Sequence, residues 1–153
     1  MPKSEAARLW AHQLQLTVAD WLDEVHDTHH PVGSSFYYED QKTESRRCAA
    51  HFTAERLPKF LGYFERVLAR EHGDWLLGKS FSYADLSLFQ MIAGLHYAFP
   101  IAMGRLEPKH PRTMALYDRV ASRPRIAAYL ASHRRIPFNE KGIFRHYPEL
   151  DVR

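Results

Sequence analysis

An all-α fold is what this sequence predicts, and three observations lead there. No five-residue window alternates cleanly with β-branched residues, so no strand can be placed. Apolar residues recur at the helical period over long stretches instead. The segment FSYADLSLF, Phe81 to Phe89, spells a helix start twice over. Ser82 can accept from the N–H of Asp85, Asp85 can reach back to the N–H of Ser82, and Phe81 and Leu86 flank that box as a hydrophobic staple would. About five helices around a buried central one, with an irregular tail, account for the chain.

The first helix is expected from Ser4 to Asp27, with Trp10, Leu14, Val18, Trp21, Leu22 and Val25 on one face at 100° per residue. Leu9 and Leu16 point the other way; two stray leucines are ordinary on a monomer, yet seven residues apart they could also mark a second contact. Pro31 and Gly33 break the pattern, and a loop extends to about Tyr38. A second helix is expected from Asp40 to Glu71, its seam formed by Leu57, Phe60, Leu61, Phe64, Val67 and Leu68. Pro58 lies inside it and should kink or divide it, because the ring removes a backbone donor. Gly73 provides a stop.

The third helix, Ser82 to about Ala98, differs in kind. Leu86, Leu88, Phe89, Met91, Ile92, Ala93, Leu95 and Tyr97 surround its axis, and a helix apolar all round is a buried one. A buried helix start cannot rely on water for its free N–H groups, so the box has a structural reason and Asp85 reads as a cap, not a catalyst. A fourth helix opens at Pro111 and a fifth at Pro124. Beyond Arg135, residues 136–153 carry two prolines, a glycine and several aromatics, and read as an extended tail lying on the helices through Phe138, Phe144 and Tyr147.

Composition narrows the classes. The 153 residues are 45% hydrophobic, 25% charged and 13% aromatic, which suits one globular domain and argues against disorder. No basic n-region precedes an apolar run, and the stretch from Asp85 to Pro100 is interrupted by Gln90 and His96, so neither a secretory signal nor a membrane span is expected. A cytoplasmic protein is the default. The single cysteine, Cys48, excludes an intrachain disulfide. A formal charge of +3 falls short of a nucleic-acid signature.

Three clusters invite chemistry. His26 and His30, four residues apart, could meet on one helical face like two metal ligands, with His29 nearby. There is no H-E-x-x-H arrangement and no evident third ligand, and histidines are favourable at a helix C-terminus, so no metal site is assigned. Cys48 beside Arg46, Arg47 and His51 could carry a lowered pKa, but the plainer reading is a small helix residue without a role. Arg119, Arg123, Arg125, Arg134 and Arg135 are interleaved with Asp118 and apolar residues, which favours a solvated helical face over an RNA-binding patch.

The order of parts resembles a known family. ERLPKFLGYFERVL (Glu55–Leu68), LLGKSFSYADLSLF (Leu76–Phe89) and HPRTMALYDRVASRPRIAAYLAS (His110–Ser132) are similar to the all-helical C-terminal domain of cytosolic glutathione transferases, of sigma-like or bacterial type. In that family the buried central helix opens with a Ser/Thr-x-x-Asp box and staple, matched by Phe81, Ser82, Asp85 and Leu86. The resemblance implies one such domain over residues 1–153, opening at Met1 like the family's inter-domain linker, with no thioredoxin-like domain. Full-length members hold glutathione and activate its thiol on that other domain. No catalytic residue is therefore carried over, no cofactor is expected on this chain alone, and glutathione enters only as a co-substrate with a thioredoxin-like domain supplied. By position, Val25, His26, His29, Phe138 and Phe144 would contribute the pocket for the electrophile. Two roles follow as expectations: the acceptor-side half of a detoxifying transferase, inactive in isolation, or a freestanding protein-interaction module. The expected partners are a second copy of the chain or a thioredoxin-like domain, and neither nucleic acid nor membrane.

Overall fold

The computed structural model describes residues 4–152; the linker-like opening at Met1 lies outside the described residues. Helix α1 spans Glu5–Asp27, and Ser4 caps it by accepting the N–H of Ala7 at 3.2 Å. Its interior face is Ala11, Leu14, Val18, Trp21 and Val25, with Trp10 and Leu22 half-buried. Leu9 and Leu16 face out, 63% and 51% exposed.

The expected second helix is present but divided. Tyr38–Gln41 form a single 3-10 turn, α2 runs Lys42–His51, a π turn covers Phe52–Arg56, and α3 runs Leu57–Arg70. Pro58 explains the division. Its ring would collide with the carbonyl four residues back in a regular helix, and the wider π turn just before it makes room without ending the helix. Beyond α3, Trp75 to Ser80 fold into a tight turn with two isolated bridges, and Gly78 takes a left-handed φ of 68° there. No β-sheet forms among the described residues.

Helix α4, Tyr83–Ala98, is the axis. It packs against α1 on one side and α6 (Pro111–Ala121) on another, while α3 also packs on α6. Leu88, Ile92 and Leu95 are wholly buried, and the core closes with Trp21, which stacks on Phe60 at 5.1 Å and Phe64 at 6.0 Å. The Ser82–Asp85 capping box is in place. Asp85 accepts from the Ser82 N–H at 2.7 Å and the Ser82 hydroxyl at 2.9 Å. Its second oxygen accepts the N–H of Leu76 at 2.8 Å, so the same carboxylate ties the preceding turn to the helix. Burial pushes the Asp85 carboxyl up, and these donors pull it back. Phe81 meets Trp75 edge-on at 4.9 Å, with the Arg123 guanidinium 3.9 Å above its ring.

A short helix that the sequence reading did not place, α5 (Pro100–Leu106), follows α4 at a sharp bend. Its first free N–H groups, Ile101 and Ala102, are capped from the far end of the chain by Asp151 at 2.6 and 3.0 Å. Glu65 performs the same service across the bundle, accepting from Arg112 and Thr113 at the start of α6. Helix α7 spans Pro124–Leu130.

The tail runs as a strap over the core. Phe138 stacks on Tyr97 at 5.1 Å and meets Phe144 edge-on at 5.9 Å. Phe144 lies on Gly94, where any Cβ would overlap its ring, which accounts for a glycine inside a buried helix. Tyr147 stacks on Tyr38 at 3.8 Å, and the Tyr38 hydroxyl donates to Glu149 at 2.9 Å. No single helix among the described residues is long and apolar enough to cross a membrane.

Candidate functional site

A groove lies between α1 and the N-terminal half of α4, with Phe144 of the tail in its wall. It measures about 300 Å3 and is lined by Gln15, Val18 and Leu22 of α1, Leu86, Ser87, Gln90 and Met91 of α4, and Phe144. Its walls are chiefly apolar with two amide side chains and the Ser87 hydroxyl, the make-up of a small-molecule site. Gln15 Oε1 is buried without a hydrogen-bond partner among the described residues, an unmet acceptor in the groove wall. A second hollow of about 230 Å3 shares Leu86 and Gln90 and reaches Phe138, Ile126 and Leu130. The two hollows thus lie either side of one edge of α4, and the tail aromatics wall both. A third hollow, about 530 Å3, belongs to other elements, its lining including Ala50, Thr53, Pro58, Arg105, Lys109 and His110.

Of the residues picked out from sequence, Phe144 lines the first groove and Phe138 the second hollow. Val25 is 1% exposed and packs in the core. His26 and His29 lie together, at the C-terminus of α1. Gln15, Val18, Leu22, Leu86, Gln90 and Met91 were not picked out as groove residues. Val18 and Leu22 read as core in sequence because they continue the buried stripe, and no linear signal shows where that stripe outruns its partners.

The histidines gather because the chain tightens after α1. Thr28 and His29 donate backbone N–H groups to the carbonyls three residues back, each at 3.2 Å, and the Thr28 hydroxyl bonds Val25 O at 2.7 Å. Three imidazoles are drawn into one cluster. His26 and His30 stack at 5.1 Å, and His29 stands edge-on to both at 5.1 and 4.7 Å. One ring nitrogen from each of the three lies within 4.8 Å of the others. His29, 1% exposed, donates its Nε2–H to the carbonyl of Ile143 in the tail at 2.7 Å. Burial lowers its pKa to about 4, and burial followed by Arg145 lowers that of His30, so both are neutral at neutral pH.

Cys48 is half-buried, and burial, then Asp27 and Glu24, push its thiol up. That is the opposite of what an activated nucleophile needs. Among the late arginines, Arg119 pairs with Asp74 at 3.2 Å, Arg123 covers Phe81, and Arg135 lies 5.7 Å from the Phe138 ring.

An all-α bundle on a buried, boxed central helix, closed by an aromatic tail, is the architecture of a glutathione transferase C-terminal domain. Residues 26–133 match the family described as glutathione S-transferase, C-terminal domain, and the chain belongs to that family. It is similar to a glutathione S-transferase of Plasmodium yoelii yoelii, 24% identical over 110 residues, which are 72% of this chain and 47% of the relative. It is also similar to glutathione S-transferase P 1 of Bufo bufo, 37% identical over 90 residues, 56% of this chain and 41% of that one. A solved structure of rat hPGDS complexed with a quinoline shares the fold, with a TM-score of 0.61 at 19% identity over 84% of this chain and 57% of its own. The chain spans about half the length of the curated relatives it matches, or less.

Proposed function

We propose that this chain supplies the acceptor side of a glutathione transferase, the α1–α4 groove holding an apolar electrophile while a thioredoxin-like domain presents the glutathione thiolate. The observation that carries the reading is the groove itself, apolar, half-open and walled by Phe144, in a chain of this family. Phe138 and the second hollow extend the acceptor surface, and His26, His29 and Val25 support the end of α1 behind it. A cytoplasmic setting and a detoxifying role belong to the same proposal. In this reading the rate rests on the partner domain, and the raised pKa of Cys48 fits no nucleophilic role for the chain's one thiol.

The test is conjugation of glutathione to a chromogenic aryl halide. The purified chain should leave the rate at its protein-free value, and supplying a family thioredoxin-like domain should raise it. Turnover by the chain alone would contradict the reading.

Leu9 and Leu16, apolar and exposed one seam apart on α1, favour a second reading as a docking module, in which a second copy or the thioredoxin-like domain covers that face. A stable dimer that fails to retain the aryl acceptor would favour this reading over the first.

A further inference from the structure

We propose that His26, His29 and His30 form a binding site for a divalent first-row transition metal of the zinc class, assembled at the junction between the end of α1 and the tail. Linear spacing offers only His26 and His30. The fold adds His29, because the tightened turn after Asp27 swings it inward beneath Ile143.

The hydrogen bonding prepares His29 for the task. A carbonyl can only accept, so the bond to Ile143 O fixes the proton on Nε2 and leaves the lone pair of the neutral ring on Nδ1. That Nδ1 lies 2.5 Å from His30 Nδ1, and without a metal one proton must be shared between them. A metal would replace the proton as the bridge, with His30 carrying its hydrogen on Nε2. An imidazole that ligates through one nitrogen while donating the other N–H to a backbone carbonyl is the usual outer-sphere arrangement of metal-binding histidines. Tetrahedral coordination at about 2.0–2.1 Å sets ligand nitrogens about 3.3 Å apart. The cluster, with its three nitrogens within 4.8 Å, closes to that spacing through side-chain rotation. Three imidazoles with no thiolate suit zinc, nickel or copper over magnesium or calcium.

The local charges make the proposal specific. Asp27 sits 3.7 Å from His26 and adds a negative charge at the rim, whereas Arg145 of the tail faces His29 and His30 and opposes a cation.

Zinc titration of the tag-free, chelator-stripped full chain by calorimetry tests this, with cobalt absorption as a second readout. One equivalent should bind, with a tetrahedral cobalt spectrum and a rise in Tm. His26→Gln, at a half-buried position, should weaken binding about tenfold or more, and His30→Gln likewise. Arg145→Gln should tighten it severalfold, and His133→Gln, on the surface, should leave it unchanged. His29→Gln is the severest variant; should it not fold, His26→Gln and Arg145→Gln still decide. No one-to-one binding would overturn the proposal. So would equal weakening by His133→Gln and His26→Gln, the mark of adventitious capture, or an affinity indifferent to Arg145→Gln.

Discussion

An Asp85→Ala chain is expected to lose about 2–6 kcal/mol of stability, because two buried backbone donors are left unpaired at about 1–3 kcal/mol each. The donors are the N–H groups of Ser82 and Leu76, and the Ser82 hydroxyl loses its acceptor as well. Against a total of about 5–15 kcal/mol for an ordinary domain, this variant approaches unfolding. The opposing effect is relief of the burial that pushes the Asp85 carboxyl up. Three hydrogen bonds outweigh it, since the loss of either backbone partner strands a donor that water cannot reach. Ser82→Ala, by comparison, should cost about 1 kcal/mol. Urea titrations of both variants give the ranking, and an Asp85→Ala loss no larger than that of Ser82→Ala would show that the Leu76 link carries nothing.

Gly94→Ala sets two effects against each other. Helix propensity alone favours alanine by about 1 kcal/mol. Packing opposes it, because the new Cβ would overlap the Phe144 ring, and overpacking a tight contact costs about 1–3 kcal/mol. The ring is held on its other side by Phe138 and by the bond between Ile143 and His29, so it cannot simply turn away. The expected outcome is a net destabilisation of up to about 2 kcal/mol with the tail lifted from α4. Lys141, exposed in the tail, should then become a faster tryptic site, and aryl acceptor binding should weaken because Phe144 leaves the groove. A raised Tm with unchanged proteolysis would show that the strap is loose.

The two largest elements were legible because their signals are local. Ser4 and the period of Trp21 and its neighbours mark α1, and the box at Ser82 with an apolar circumference marks α4 as buried. Pro58 foretold an interruption, but whether a helix stops, kinks or widens into a π turn depends on what packs around it. Helix α5 escaped notice because seven residues opening at Pro100 and containing Gly104 hold too few turns to show a period, and its cap, Asp151, lies some fifty positions away. The groove was half legible. Its tail aromatics stood out as unexplained apolar residues in an irregular segment, whereas Leu22 and Leu86 look like any core residue until the bundle leaves them partly uncovered. The meeting of Gly94 with Phe144, and of His29 with Ile143, is a long-range fit that no spacing rule contains.

The acceptor groove is the claim on which the functional account turns, and an NMR titration of the isotope-labelled chain with an unreacted aryl halide tests it most directly. Shifts confined to Gln15, Leu22, Gln90, Met91 and Phe144, saturating with a single affinity, are the predicted result. Shifts centred on Leu9 and Leu16 instead, or none beyond dilution at saturating acceptor, would contradict it.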